Sequence, residues 1–451
     1  MALIDFKVLP GIDKQDTTSG AENRWVDCDN TRFRYGLPEK VGGWSSLVTD
    51  TIVGVARREF AFVDLDGNRY VAIGTDKFLL IYFEGQLYDI TPLKTTLTSA
   101  TLATTNTSAI CSITTGTNHN LSVGDIVLLD TVTLPVGTGY VDADFENKLF
   151  QVTSITSATV FTITQSTAAT ATVGTGGSLS VKPYEQVGPA EQSYGYGWGI
   201  DTWSSGKWGE AASASDVSLE PGLWSLSNFG QVLVSTIANG KTFTWNAGDA
   251  ARLTTRASTA TSGFETTNNP TATRVTLISP TTRHLIHLGT ETTIGDPTTQ
   301  DDMFIRFSDQ EDINDYVPTA INSAGSQRLQ DGTRIIGALK AKESILVWTD
   351  NALYTMKFIG SPFTFGFEQV GTNCGLIGKN AAIEIDGMAF WMSSNGFFMF
   401  DGTVKSMPCS VEDYVYDQAD TTKGQQIYAG INNLFTEVVW YYPSTNSEYN
   451  D

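Results

Sequence analysis

The sequence predicts a mainly β protein, a propeller-like array of four-stranded antiparallel blades with an inserted small β-barrel or sandwich domain. Three observations lead there. Aromatic residues are abundant, with 23 Phe, 16 Tyr and 10 Trp, and aromatic and β-branched side chains suit a pleated, half-buried surface. Short apolar runs bounded by turn residues recur along the chain. Trp348 and Trp391 stand at equivalent places in two such runs, 43 residues apart, and Trp440 follows 49 residues on, close to the repeat of about 40–50 residues expected of propeller blades. A pair of stacked β-sandwiches would satisfy the same alternation, and no Trp-Asp repeat motif is present.

The first unit spans Val53 to Pro92 and reads as four strands. Asp66-Gly67 is expected to join its second and third strands and Thr75-Asp76 its third and fourth, because a two-residue loop that tolerates positive φ closes a hairpin. Further units lie at 223–246, 283–308, 334–358, 381–408 and 427–443. The division is then 1–98 for an N-terminal segment and first blade, 99–182 for an insertion, 183–222 for a connecting arm, and 223–451 for the remaining blades.

Residues 99–182 differ in composition, with 19 Thr and only Lys148 and Lys182 as basic residues. Strand-like runs at 126–129, 149–156 and 159–166, with Gly124-Asp125 as a corner, predict a small β-barrel or sandwich. Inserting it in a connecting loop is thermodynamically tolerable, since closure entropy grows only logarithmically with length. The arm SYGYGWGIDTWSSGKWGE carries Trp198, Trp203 and Trp208. It is too rich in glycine for a regular strand, and its aromatics are candidates for an interface between subunits. One short helix is expected from Ser410, with Ser410 as cap and Asp413 three residues on.

Charge narrows the function. The chain has 28 Lys and Arg against 49 Asp and Glu, a formal net charge of −21, so gripping duplex DNA through phosphate contacts is excluded as its main role. Cys28, Cys111, Cys374 and Cys409 form no CxxC pair and read as small apolar side chains. No apolar stretch reaches the length of a membrane span, and the N-terminus has no signal-peptide core. Synthesis in a cytoplasm follows.

Catalytic, cofactor-binding and metal sites are not expected. His284 and His287 are three apart in a strand-like run, which points them to opposite faces. His119 lies in a polar loop without a nucleophile, and no GxSxG elbow occurs. The glycines at 174–177 and 195–199 open no helix and cradle no phosphate. Asp309, Glu311, Asp312 and Asp315 cluster in SDQEDINDY. They lack the mid-loop Gly and terminal Glu of an EF-hand, so an acidic turn facing solvent or a pore is expected in place of a calcium site.

Several stretches together resemble one family: RFRYGLPEKVGGW, DGNRYVAIGTDKFLLIYFEGQLYDITP, LSVGDIVLL, LWSLSNFGQVLV, RFSDQEDINDYVPTAINSAGSQRLQDGTRIIGALKAKESILVWTD, CGLIGKNAA and FWMSSNGFFMFDG. The order and coverage are similar to the tail nozzle proteins of short-tailed bacteriophages, also called packaged-DNA stabilisation or tail-tube proteins. The resemblance implies a non-enzymatic virion part of the short tail. A homohexameric ring would sit below the portal-adaptor protein, hold genomic double-stranded DNA in the capsid, and conduct it through the lumen during ejection without sequence-specific binding or stable membrane insertion. The insertion would be a docking region, and a tail fibre or tailspike and a tail-tip plug would attach nearby. The family runs on past the sixth unit, whereas this chain stops at STNSEYND.

Physical chemistry is consistent with a conduit. Duplex DNA carries one charge per about 1.7 Å of axis, so a pipe must not hold it with Lys and Arg. At a Debye length of about 8 Å only acids on the lumen wall act on it, and Asp309, Glu311, Asp312 and Asp315 are the first candidates. Retention then needs a gate or plug. Two other functions fit the composition: an extracellular propeller or lectin-like module that binds a receptor or glycan, and a propeller glycosidase. The last predicts Arg, Tyr and acidic residues gathered at the propeller axis.

Overall fold

The computed structural model describes residues 8–46, 48–192, 220–258 and 269–447, and the tryptophans at 198, 203 and 208 lie outside them. A short hairpin of β1 (Thr31–Arg34) and β2 (Leu37–Lys40) precedes the first four-stranded sheet. That sheet holds β3 (Ala56–Val63), β4 (Arg69–Thr75), β5 (Leu79–Phe83) and β6 (Gln86–Asp89), paired in order and antiparallel. Its turns sit one place earlier than the sequence suggested. Asp66-Gly67 joins the first and second strands and Thr75-Asp76 the second and third. The third turn is Glu84-Gly85, both with positive φ of 48° and 85°, which a two-residue hairpin requires.

The insertion is a closed six-stranded barrel: β7 (Leu97–Thr104), β8 (Ile110–Thr114), β9 (Ile126–Thr133), β10 (Lys148–Ser157), β11 (Val160–Thr164) and β12 (Val173–Pro183). The strands run β10-β11-β8-β7-β12-β9 around it, and β10 pairs with β9 to close the circle. Closure leaves no free sheet edge, and Phe145, Phe161, Leu129 and Ile163 fill the centre.

Chain then returns to the ring. The second sheet has three strands, β13 (Trp224–Phe229), β14 (Val232–Ile237) and β15 (Thr242–Asn246), with Ser258 bridging Thr244 at its edge. The third holds β16 (Thr273–Ile278), β17 (Leu285–Thr290), β18 (Phe304–Phe307) and β19 (Gly325–Arg328). The fourth holds β20 (Ile335–Lys340), β21 (Ile345–Thr349), β22 (Ala352–Gly360) and β23 (Thr364–Thr372). The fifth holds β24 (Ala382–Ile385), β25 (Met388–Ser393), β26 (Gly396–Phe400) and β27 (Val404–Ser406). A two-stranded sixth sheet, β28 (Tyr428–Asn432) and β29 (Glu437–Tyr441), follows.

These sheets form a propeller-like ring. The leading strands β3, β13, β16, β20, β24 and β28 each touch the next, so they are innermost. Apolar cores fill the wedges between successive sheets. Trp224, Trp245, Phe62 and Tyr70 lie between the first and second, Ile305, Phe307, Val347 and Met356 between the third and fourth, and Trp348, Trp391 and Ile427 among the last three. A strand covered on both faces has no polar side, which explains the unbroken apolar runs. The spaced tryptophans occupy the second strand of three successive sheets, Trp348 in β21, Trp391 in β25 and Trp440 in β29. Rings of Trp348 and Trp391 meet at 5.3 Å, while Trp391 Nε1 donates to the Cys374 carbonyl and Trp440 Nε1 to that of Ala381.

The N-terminal segment packs on the end of the ring. Arg32 lies over the Phe435 ring at 3.4 Å and 3.7 Å from Glu437. Helix α1 (Glu412–Gln418) is present, but Ser410 does not cap it. Its Oγ donates to the Ile12 carbonyl at 2.6 Å instead, because tying down the N-terminal segment competes with capping for that hydroxyl. Among the described residues no helix is long and apolar enough to cross a membrane.

Candidate functional site

The innermost strands enclose a cavity of about 170 Å³. Five sheets frame it, and three cations from different elements line it: Arg58 on β3, Lys340 at the end of β20, and Lys379 just before β24. Apolar and hydroxyl side chains complete the wall, among them Trp224, Ser227 and Thr276, and no carboxylate lines it. In a chain of net charge −21 this concentration of positive charge is out of proportion.

Each cation is held by a neutral acceptor. Arg58 Nη1 donates to Asn380 Oδ1 at 3.1 Å, Lys340 Nζ to Ser227 Oγ at 3.0 Å, and Lys379 Nζ to the Arg274 carbonyl at 3.3 Å. None of the three makes an ion pair among the described residues. Burial pushes the Lys379 ammonium down to about 7, with Arg58 and Arg274 adding repulsion and Glu220 opposing it. Burial and the Arg58 charge bring Lys340 down to about 8, and burial lowers Arg58 as well. Removing a charge from water costs energy unless an opposite charge replaces the solvent.

Asn380 is the joint between the end of the ring and its beginning. Besides accepting from Arg58, it donates through Nδ2 to the Arg57 carbonyl at 3.0 Å, and its own carbonyl receives Ala429 N. Beside it opens a wider cleft of about 550 Å³ between the first and sixth sheets, lined by Arg57, Arg58, Glu59, Glu191, Asn380 and Tyr428 among others. Arg58 and Asn380 line both spaces. The cleft does gather Arg, Tyr and acids, the constellation required of a propeller glycosidase, whereas the axial cavity itself does not.

The acidic cluster lies elsewhere, in the loop between β18 and β19, the two outer strands of the third sheet. Asp309 Oδ1 accepts from Ser323 N, Ser323 Oγ and Gln310 N at 2.6–2.8 Å. Burial would raise its carboxyl, yet these donors hold it below the usual range. Asp315 accepts from Val317 N and Asn322 Nδ2. Glu311 and Asp312 are the exposed members. Glu311 pairs with Arg283 at 2.7 Å and Asp312 accepts Asn314 N. Two of the four acids therefore shape the turn and two face outward.

The histidines are buried and fully bonded. His287 bridges Thr273 and Tyr316, and His284 bridges Thr282 and Ser323. His119 Nδ1 accepts Leu121 N, so its Nε2 donates to the Ser157 carbonyl. Among the described residues no three His, Cys, Asp or Glu side chains gather as a metal site, and all four cysteines are free.

Sequence reasoning missed the axial cations. Their signal was available, since Arg58 and Lys340 sit in leading strands and Lys379 just ahead of one, and leading strands are the ones that line a propeller's axis. A second unanticipated surface is the exposed group Tyr35, Trp44 and Leu434, at 92%, 88% and 81% exposure, beside the groove between the N-terminal segment and β28–β29.

No protein-family model matches the chain, and no curated protein matches it. Among solved structures it is similar to the phage phi92 endosialidase, at 14% identity and a TM-score of 0.25, over 79% of this chain and 55% of that one. It is also similar to the extracellular domain of the hybrid two-component system BT4673 from B. thetaiotaomicron, at 13% identity and a TM-score of 0.25, over 79% of this chain and 34% of that one. The chain thus spans about half and one third of those two structures, and at these TM-scores neither likeness bears on function.

Proposed function

We propose that this chain is a non-enzymatic structural component of a short bacteriophage tail, a subunit of a hexameric nozzle that retains packaged DNA and conducts it during ejection. One observation supports it above the others: a closed barrel is set into the exit of the first sheet of a propeller-like ring, the arrangement implied by the resemblance of the sequence to tail nozzle proteins. The barrel is the docking region in this reading, presented to tail fibres or spikes. A space of about 170 Å³ at the propeller axis is far too small for a duplex. The DNA path therefore runs between copies, where the acidic balance of the chain keeps the wall from holding phosphate. The test is negative-stain microscopy with size-exclusion chromatography, with and without portal-adaptor protein. Rings in the mixture are expected, and an unshifted compact monomer overturns the proposal.

The axial cations favour a second reading, an extracellular propeller module that binds a receptor or glycan. Binding of the isolated monomer on a glycan array, without ring formation, would select it. Turnover of polysaccharide by the purified chain would select the glycosidase and exclude both.

A further inference from the structure

We infer that the cavity on the propeller axis is a binding site for one small oxyanion, held between Arg58, Lys340 and Lys379. The inference rests on the axial residues alone and stands whether or not the chain forms a ring.

Three features carry it. First, three cations from three different sheets converge on a single space and share it with no carboxylate. Side chains that lack an opposite charge are normally turned toward solvent, where each would be stabilised by water. Here Lys340 and Lys379 are instead anchored to a hydroxyl and a carbonyl, which fixes their position without neutralising them. Second, the carboxylate whose charge acts on Lys379 is already committed: Glu220 accepts from Arg274 at 2.6 and 2.7 Å and from Arg334 at 2.7 Å. Third, the size fits. A space of about 170 Å³ admits a small oxyanion such as a sulfate-like or carboxylate group. Arg58 offers a planar fork and the lysines point charges, a pairing suited to oxygen anions. The cleft between the first and sixth sheets adjoins the site and shares Arg58 and Asn380 with it.

Bound charge would also act on the fold. The site touches β3, β13, β16, β20 and β24 with its approach, so an anion there relieves repulsion among the cations of these leading strands.

The facing groups set the pH dependence. Around the site stand Arg58 on β3, Arg274 on β16, Lys340 on β20, Lys379 before β24, Glu220 before β13, and Tyr428 on β28, with Lys342, Glu384 and Asp386 sharing a neighbouring space with Lys340 and Arg57, Glu59 and Glu191 lining the cleft beside Arg58. Of these, Lys379 and Lys340 titrate nearest neutrality, at about 7 and about 8, and both gain their charge as pH falls. Oxyanion binding should therefore tighten on acidification.

The experiment is calorimetric titration of the whole chain with sulfate, whose charge is constant from pH 6.5 to 9, and separately with acetate. Ionic strength is matched throughout with chloride. Saturable one-to-one binding at pH 6.5, weakened by about ten-fold or more at pH 9, is expected. Preference for sulfate over acetate would mark a tetrahedral ligand, and the reverse a carboxylate. Lys340→Met and Lys379→Met should each weaken binding at pH 6.5 by about ten-fold. If one variant fails to fold, the other and the wild-type pH series still decide. Heat that tracks ionic strength alone, or binding equal at the two pH values, overturns the inference.

Discussion

Arg274 Nη2 lies 2.6 and 2.7 Å from the two carboxylate oxygens of Glu220, one guanidinium nitrogen donating to both oxygens, and the pair joins the approach to the second sheet to the leading strand of the third. Arg334, at the approach to the fourth, shares the same carboxylate at 2.7 Å. One acid thereby ties three consecutive sheets, and the two guanidiniums override its burial to hold the carboxyl below its ordinary range. Arg274 reaches further, donating through Nε to the Ile335 carbonyl and through Nη1 to Asp302.

Glu220→Ala should lower the unfolding free energy by about 2–4 kcal/mol. Removing one partner of a buried pair typically costs about 3–5 kcal/mol because the other charge is stranded, but Arg334 is 40% exposed and recovers water. Urea denaturation followed by tryptophan fluorescence measures this, and adding Arg274→Met should restore part of the loss. An unchanged midpoint in the single variant would mean that the ion cluster does not bind the sheets together.

Acid should destabilise the fold well before its carboxylates protonate. Burial lowers His287 to about 3, assisted by the Arg306 charge, and burial lowers His284 against the pull of Asp309. Both imidazoles resist protonation when folded and accept it near 6.5 when unfolded. Their contribution is thus complete above pH 6.5 and drains away as pH falls, for His287 down to about 3, at up to about 1.4 kcal/mol per pH unit for each. Between pH 6.5 and 4.5 the axial lysines are already charged and add little slope. Urea midpoints over that range should fall steeply for the wild type and less steeply for His287→Gln, which can still reach Tyr316. Parallel slopes would show that His287 titrates normally.

How far the fold was legible follows from what covers each strand. Runs such as ILVWT at 345–349 and MAFWMS at 388–393, buried among neighbouring sheets, announce themselves by apolar content, and tryptophans at matching places revealed the repeat. Strand β19, GSQR, is an exposed outer edge with nothing apolar to mark it. TRVTLI is buried along its whole length, so its polar letters gave no alternation to read. The turns of the first sheet were displaced by one strand because Glu84-Gly85 was not recognised as a hairpin. At the site, the acids were visible as a local cluster, but Arg58 is hundreds of residues from Lys340 and Lys379, in a different sheet from either, and meets them only because the ring closes.

Tyr184→Phe should loosen the barrel's attachment. The Tyr184 hydroxyl donates to Asp89 at 2.6 Å and accepts from Arg256 at 2.6 Å, where β12 hands the chain back to the first sheet. Hydrogen bonds to charged groups contribute about 1.5–3 kcal/mol each. Asp89 and Arg256 still meet at 3.0 Å, so a net loss of about 2 kcal/mol is expected. No tryptophan lies within 97–183, so fluorescence does not follow the barrel, and hydrogen exchange at residues 89–94 and 184–187 reports on the junction. Unaltered exchange there would show that the hydroxyl is not what holds the barrel.

The acidic turn offers a direct test of the conduit, because its four carboxylates divide by role. Asp309 and Asp315 are committed to backbone and side-chain donors within the loop, so replacing them would confound charge with folding. Glu311 and Asp312 are exposed, and of all four they are the ones able to act on a passing duplex. A double Glu311→Lys, Asp312→Lys substitution changes the local charge by four in every subunit. In a lumen it should slow genome ejection several-fold at low salt, where screening extends to about 30 Å, and much less at 1 M, where it is about 3 Å. Single-particle ejection kinetics across that salt range decide the matter. A rate that does not respond at low salt, with particles otherwise intact, removes this turn from the wall of the pipe, since an exposed charge within a Debye length of the duplex must alter its passage.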